Sequence, residues 1–410
     1  MCCHVLAAAL VNMKIRLRAA RPDFEYLGNI EAGTGMAETR FSLKDALFNK
    51  EKVAYLGDLF ARADGGFDKA GFERDVMVAL PELELKQRID HIAEVLTFYL
   101  PAEFESAAAL IERALPPELD PMKTDDDFGD FIFAPLGAFV AKKGIDKPER
   151  ALVTLAALTK RFSMEYAIRD FLNAHEALVM QVMQDWMQDG NYHLRRLVSE
   201  GTRPRLPWGR KIALNYLAPI ELLDRLYSDP TRYVTRSVAN HLNDIAKIDA
   251  ELVVSRLARW RAEGKQSAKE MDWMTRHALR GLVKQGHRGA LELLGYQIAP
   301  PINQPEVRVR TPEVAIGDAL EFDVHLKAEA DAVLLVDYVL EFLKADGSHR
   351  AKVFKLKQVS LKAGQSVTVS KKHRLRGDAT TYRLYPGIQR LKLQINGVIC
   401  GTGEFNLTQA

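Results

Sequence analysis

The chain has 410 residues, 47% of them hydrophobic and 27% charged, with a formal net charge of +3. That is enough chain for two or three domains with sizeable cores, and the composition excludes a disordered or collagen-like protein. A net charge so close to zero also excludes a uniformly basic nucleic-acid binder, so any claim on a polyanion has to rest on local clusters of cations.

The opening "MCCHVLAAALVNMKIRLRAARP" carries a short apolar run with no Lys or Arg before it. It is too short to span a bilayer and lacks the basic start of a secretory signal. Residues 1–38 read as a tail outside the folded part, or as a start placed upstream of Met13 or Met36. No other stretch reaches membrane length, so the expected location is the cytoplasm. The three cysteines, Cys2, Cys3 and Cys400, form no spaced pair, which argues against a disulfide framework and a structural zinc site. Cys2, Cys3 and His4 have no fourth ligand, and no metal site is expected.

From about Ser42 to Leu294 the pattern is helical. "SLKDALFNKEKVAYLGDLFARA" opens on Ser42 as a candidate N-cap, and Leu43, Ala46 and Leu47, then Leu56, Leu59 and Phe60, recur at helical spacing. Turn signals such as "ADGG", "LPPELDP", "KKGIDKP" and "SDPTR" divide the region into helices of roughly ten to eighteen residues. Within it lies an internal repeat: "VMQDWMQDGNYHLRRLVSE" (182–200) aligns with "LLDRLYSDPTRYVTRSVAN" (222–240) at a constant shift of 40, and "VTRSVAN" aligns again with "MTRHALR" (274–280). A period near 40 with two helices per unit predicts a HEAT-like α-solenoid of helix pairs, each unit burying its apolar stripe against the next.

The repeat places Arg196, Arg236 and Arg276 at equivalent positions on three second helices, with Glu200, Asn240 and Arg280 one turn further on. Asn243 and Asp244 extend that stripe. Such a row is either a solvated, salt-bridged face or a cradle for a phosphate backbone, where six contacts would lose roughly three decades of affinity between 50 and 200 mM salt. Few aromatics interleave with the arginines, which favours a duplex over a stacked single strand.

The window from Arg195 to Lys211 concentrates six basic residues (Arg195, Arg196, Arg203, Arg205, Arg210, Lys211) around one acid, Glu200, and one indole, Trp208. Glu200 either orients the arginines through salt bridges or stabilises positive charge developing on a deoxyribose and positions a water to attack it. The second role is the chemistry of N-glycosidic cleavage, to which one or two carboxylates would bring on the order of 3–4 kcal/mol. Trp208 either packs the loop after Pro207 or offers its face to a cationic base, worth about 0.5–2 kcal/mol. Upstream, Glu165 and Arg169 stand four apart in "TKRFSMEYAIRDFL" and are placed to pair.

Near residue 299 the composition changes. "IAPPINQPEV" is a proline-rich linker, and residues 306–410 contain about seven β-branched runs separated by Gly-containing turns, Asn396-Gly397 being a hairpin signal. The prediction is an immunoglobulin-like β-sandwich. Its lysines, Lys371 and Lys372 among them, either guard strand edges or make a second polyanion contact.

"RFSMEYAIRDFL", "LRRLVSEGTRPRLPWGRKI" and "RSVANHLNDIAK", in this order within helical repeats, resemble the AlkC branch of the AlkC/AlkD alkylpurine DNA glycosylases. "DYVLEFLKADG", "KVFKLKQVSL" and "YPGIQRLKLQINGV" resemble the immunoglobulin-like domain carried by many AlkC proteins, and the likeness runs over about residues 40–408. The resemblance implies a mainly α protein: a HEAT-like domain over 39–298, a linker over 299–305 and a β-sandwich over 306–410. It implies excision of cationic N3-methylated bases, such as 3-methyladenine and 3-methylcytosine, from double-stranded DNA, without metal or organic cofactor and without drawing the lesion into a deep pocket. Glu165 and Glu200 match the family's cleft glutamates, Trp208 its cleft tryptophan and Asp244 a cleft aspartate. Arg203, Arg205, Arg236 and Asn240 match residues expected to hold the backbone, and Arg169, Arg196, Asn243, Lys371 and Lys372 complete the DNA-contact set. Asp170 stands where the family pattern expects proline, and residues 1–38 have no family counterpart. A monomer is expected, since stacking uses the apolar helix faces. The competing reading is a HEAT-repeat scaffold without enzymatic activity that binds nucleic acid or an acidic protein.

Overall fold

The computed structural model describes residues 42–123, 128–377 and 383–409. The expected tail over 1–38, with Cys2, Cys3 and His4, lies outside the described residues. The described residues divide into two compact units, one running up to Asp244 and one from Ile245 onward.

The first unit is helical. α1 (Leu43–Leu47), α2 (Lys50–Ala63), α3 (Lys69–Ala79), α4 (Leu85–Tyr99), α5 (Phe104–Ala114), α6 (Ala134–Lys143), α7 (Pro148–Thr159), α8 (Ile168–Ala174), α9 (Glu176–Trp186), α10 (Tyr192–Gly201), α11 (Ile220–Leu226) and α12 (Arg232–Ile245) follow in order. Side-chain caps set several starts: Asn49 accepts from the amide of Lys52, Asp68 from Gly71 and Asn191 from His193. Ser42 stands at the N-cap of α1, though its side chain makes no capping bond to the backbone.

Alternate helices pack together. α2, α5, α7 and α10 form one layer, and α4, α6 and α8 form another against it. Leu152, Leu155 and Leu158 of α7 and Leu194, Leu197 and Val198 of α10 are buried at helical spacing, so the apolar stripe of each helix is consumed by its neighbours. The forty-residue repeat recurs in the bonding. Asp189 accepts from the amide of Asn191 and Asp229 from that of Thr231, so both aspartates close the same turn before a second helix.

The second unit holds α13 (Ala250–Glu263), α14 (Ala268–Lys284), α15 (Arg288–Leu293) and eight strands, one more than the seven expected. β1 (Glu306–Val309), β3 (Ala319–Lys327) and β6 (Ser366–Arg374) form one sheet in the order β1-β3-β6. β2 (Glu313–Ala315), β4 (Ala332–Leu343), β5 (His349–Leu361), β7 (Gly387–Ile395) and β8 (Val398–Thr408) form the other, in the order β2-β8-β7-β4-β5. Leu320, Phe322, Val324 and Leu326 of β3 meet Leu334, Val336, Tyr338 and Leu340 of β4 in the sandwich core, the alternation a two-layer β-fold requires.

Asn396 and Gly397 form the β7–β8 turn as expected, with φ of 44° and 82°, the geometry of a tight hairpin. Gly397 abuts Gly286 so closely that an added Cβ would stand 2.5 Å from the Gly286 Cα. The Asn396 amide also donates to the Gln297 carbonyl at 2.7 Å. These contacts tie α14 and α15 to the sandwich, which is why the division into units falls after Asp244 and not at the proline-rich linker near 299. Among the described residues no helix is long and apolar enough to cross a membrane.

Candidate active site

The C-terminal turn of α10 is held close to α8 by Gly201, where an added Cβ would stand 2.7 Å from the Ile168 side chain. No real side chain tolerates that approach, so glycine fixes the depth at which the adjacent Glu200 sits. From there the charges alternate. Glu165 Oε2 meets Arg196 Nη1 at 2.5 Å, and Arg196 Nη2 lies 3.6 Å from Glu200 Oε1. Glu200 Oε1 accepts from Arg203 Nη1 at 2.5 Å, and Arg203 Nε and Nη2 reach Asp244 Oδ2 at 2.9 and 2.8 Å. Three carboxylates and two guanidiniums thus alternate in one ladder, with the buried Arg169 guanidinium close enough to act on all three acids.

The carboxylates are not equivalent. The Glu165 side chain is 16% exposed, against 6% for Glu200 and 5% for Asp244. Glu165 takes both of its hydrogen bonds, from Ser163 and Arg196, on Oε2. Glu200 is bonded on both oxygens, with Ser237 Oγ donating to Oε2 at 2.7 Å. Ser237 also lies 2.9 Å from Ser199 Oγ, and the Ser199 carbonyl accepts from His241 Nδ1 at 2.9 Å.

Burial alone would push the Glu200 carboxyl up. Arg203, Arg196 and the Ser237 hydroxyl outweigh it and hold the group down at about 2, so it stays ionised. Burial would lower Arg196 and Arg203, but their carboxylate partners outweigh it and keep both guanidiniums charged. Burial, reinforced by Arg203, pushes His241 down to about 3. It is therefore neutral, and because its Nδ1 must donate to a carbonyl, its buried Nε2 carries the lone pair. The Arg196 guanidinium lies 4.8 Å from the centroid of Tyr233, and Arg236 lies 5.8 Å from both Tyr233 and Phe128, a cation–π arrangement that fixes the arginine planes.

The loop after α10 turns on Arg169. This side chain is 1% exposed. It donates to the carbonyls of Gly201 and Arg203 at 2.9 Å each, and also to that of Arg210. Arg169 therefore neither pairs with Glu165 nor reaches solvent for a phosphate, contrary to its place in the DNA-contact set. Three loop carbonyls consume the guanidinium, and Glu165 precedes α8 and faces Arg196. Asp170, where proline was expected, pairs with Arg210 at 2.7 Å. At the loop's turn Trp208 has φ of 63°, a left-handed backbone that costs a non-glycine residue about 1 kcal/mol or more and marks functional positions. Its carbonyl accepts from Lys86 at 2.9 Å, while the side chain is 45% exposed on the rim of a cleft of about 760 Å³ that Ser163 and Tyr166 also line.

Glu165, Glu200 and Asp244 are thus brought together, and Trp208 is joined to them through the cleft wall at Ser163. Arg196 and Arg203, expected on DNA, are ladder members with side chains 12% and 9% exposed; the salt-bridged alternative holds for them. Asn240 and Asn243 are buried on α12, Arg236 is half-buried and Arg205 is exposed. Lys371 and Lys372 lie on β6, in the second unit, with Lys372 paired to Glu321 at 3.1 Å. Sequence reasoning missed Ser163, Ser199, Ser237, Tyr233 and His241. Ser237, His241 and Asp244 do fall at i, i+4 and i+7 on α12, a polar stripe that was readable.

Fold and site together define a mainly helical protein with a ladder of arginine-paired carboxylates and a C-terminal immunoglobulin-like sandwich. Residues 303–409 match the family model described as "Uncharacterised protein YhaZ, C-terminal Ig-like domain". The chain is 29% identical over 365 residues to the "Uncharacterized protein YhaZ" of Bacillus subtilis strain 168, covering 88% of this chain and 98% of that protein. It is similar to the solved structure of Pseudomonas fluorescens alkylpurine DNA glycosylase AlkC bound to DNA containing an abasic site analog. There the identity is 33% and the TM-score 0.79, over 90% of this chain and 99% of that one. The chain belongs to the AlkC-type alkylpurine DNA glycosylase family with a C-terminal immunoglobulin-like domain.

Proposed function

We propose that this protein is a monomeric, HEAT-like repeat glycosylase that hydrolyses the N-glycosidic bond of cationic N3-alkylated bases, 3-methyladenine and 3-methylcytosine, in duplex DNA. The layered helix pairs with a forty-residue period support the HEAT-like reading, and the AlkC relative solved with abasic DNA supports the partner. The observation that carries the chemistry is the ladder: three carboxylates, two of them buried and Glu165 partly exposed, interleaved with two arginines, and a Glu200 held ionised.

An ionised carboxylate has no proton to give a leaving base, so Glu200 does not act as a general acid at neutral pH. A base that is already cationic needs none. As its C1′–N bond breaks, the bonding pair moves to the base and neutralises it, and positive charge passes to the sugar. The ionised carboxylates of the ladder stabilise that charge before and during the transfer. Glu165 is the carboxylate assigned to the water. Both of its bonds lie on Oε2, which leaves Oε1 to accept a proton as the water oxygen bonds to C1′. Glu200 and Asp244 add their own charge to that stabilisation and, through Arg196 and Arg203, hold the ladder in place.

The test is base release from N-methylated duplex DNA. Glu165→Gln is expected to slow release of 3-methyladenine by about 100-fold while leaving duplex affinity within a few-fold. Release unchanged in this variant would remove the assignment, and no release by the wild type would favour the scaffold reading.

A further inference from the structure

We propose that the cleft beside Trp208 is a binding site for a neutral nucleobase, the released product of the reaction; the identity of that base rests on the glycosylase reading. At about 760 Å³ the cleft falls within the roughly 300–1,000 Å³ of small-molecule sites. It is built from α4, α6, α8 and the loop bearing Trp208, and its wall includes Phe131, Phe162, Met164, Tyr166 and Trp208. Aromatic and thioether surfaces of this kind suit a flat heterocycle.

Its charge sets the ligand class. Three cations, Lys86, Lys142 and Arg210, and three carboxylates, Asp90, Glu94 and Asp170, line it, so its formal charge is zero. The cations are already engaged: Lys86 by the Trp208 carbonyl, Lys142 by Glu94 and Arg210 by Asp170. A phosphate would have to break those pairs, and a cation would gain more from the ladder next door. A neutral ring meets neither objection.

The position completes the argument. Ser163 lines the cleft and also bonds Glu165 and Arg196 of the ladder, so one residue separates the two sites. Tyr166 follows Glu165 directly and lines the cleft, and the charges of Glu165, Glu200, Arg196 and Arg203 act on its hydroxyl. Before cleavage the base is cationic and belongs at the ladder. After cleavage it is neutral, the ladder no longer attracts it, and the charge-balanced aromatic cleft is adjacent.

Equilibrium dialysis of the full chain against free 3-methyladenine tests this, with deoxyadenosine monophosphate as the charged comparison. Saturable binding of the free base is expected, at least tenfold tighter than the nucleotide. Ala138→Phe and Ala141→Phe, which narrow the cleft away from the ladder, are expected to weaken it at least tenfold with an unchanged circular dichroism spectrum; two positions are used so that one misfolded variant does not void the test. Glu165→Gln is expected to keep free-base binding while losing base release from DNA. No saturable binding by the wild type, nucleotide binding as tight as the base, or wild-type affinity in both folded narrowed variants would overturn the proposal. A wild type that binds the free base yet releases none from methylated DNA would sink the glycosylase reading and leave the cleft's ligand class standing.

Discussion

Replacing Glu200 by Gln isolates the charge of the ladder from its shape. The amide keeps an acceptor for Arg203 and a partner for Ser237, so the geometry built by the 2.5 and 2.7 Å bonds is largely retained. What changes is the loss of one negative charge from the ladder. One unit charge acting on a developing cation at roughly 6 Å, in an effective dielectric of about 20, is worth about 3 kcal/mol, or on the order of 100-fold in rate. Arg203 keeps Asp244 and Arg196 keeps Glu165, so the stability loss should fall below the roughly 3–5 kcal/mol of an unpaired buried charge. Single-turnover release of 3-methyladenine gives the rate, fluorescence anisotropy the duplex affinity, and urea unfolding the stability. The expected pattern is a rate loss near 100-fold, affinity within about threefold and a modest drop in midpoint. A pH profile adds a second readout. Because Glu200 is held at about 2, the wild-type rate should show no limb from this group at any pH where the protein works. A rate that climbs as pH falls toward 5, and loses that climb in Glu200→Gln, would mean the carboxyl donates a proton and would refute the charge argument.

Trp208→Gly should separate function from stability: glycine accepts the left-handed backbone at φ 63°, so unfolding free energy should hold or rise by up to about 1 kcal/mol, while base release falls at least tenfold. A variant both less stable and fully active would contradict this. Arg205 is exposed and Arg203 is committed to two carboxylates, so Arg205→Ala should lower the slope of log affinity against log salt by about one and Arg203→Ala should leave it unchanged; equal effects would place Arg203 on a phosphate. His241 has its folded-state value depressed to about 3, so the unfolded chain takes up a proton first as pH falls through about 6.5. Its contribution is complete above that pH and is lost progressively down to about 3, on the order of 2–3 kcal/mol by pH 4.5. Urea midpoints at pH 7 and 4.5 should therefore differ less in His241→Gln than in the wild type, and an identical difference would show that the imidazole is not buried neutral.

Much of this architecture is legible in the residues because it rests on period and propensity. The forty-residue repeat is visible as apolar spacing, and the same Asp189 and Asp229 that align in it close equivalent turns. Asn396-Gly397 announces its hairpin because only a few residue pairs take positive φ twice in succession. Glu200 and Trp208 stand out because their chemistry is scarce within a basic window, whereas Glu165 and Asp244 are marked as cleft acids only by the family resemblance. What periodicity does not convey is who pairs with whom across helices. Arg196 looks like part of a phosphate row in the repeat and Arg203 like a backbone contact by resemblance, yet their partners lie 31 and 41 residues away, at Glu165 and Asp244. Arg169 sits four residues from Glu165 and should pair with it if the helix began early enough. It begins at Ile168, so Glu165 points elsewhere and the arginine folds into the loop. Serines such as Ser199 and Ser237 carry no signal until a buried carboxylate needs their hydroxyls.

The pairing also explains why acids can sit at such a site without defeating themselves. An isolated buried carboxylate would take up a proton rather than remain charged, and would then offer a dipole where a charge is required. Interleaving two arginines removes that escape. Each guanidinium repays part of the desolvation of two carboxylates. Under the proposed function, the ionised acids are what a cationic lesion meets and a neutral base does not, so charge would separate damaged from normal DNA with no need to enclose the base. Under the proposed function, the same logic assigns the grip on phosphates to cations outside the ladder. An Arg196 or Arg203 that turned to a phosphate would strand a carboxylate in the interior, at a cost of several kcal/mol that one surface contact does not recover.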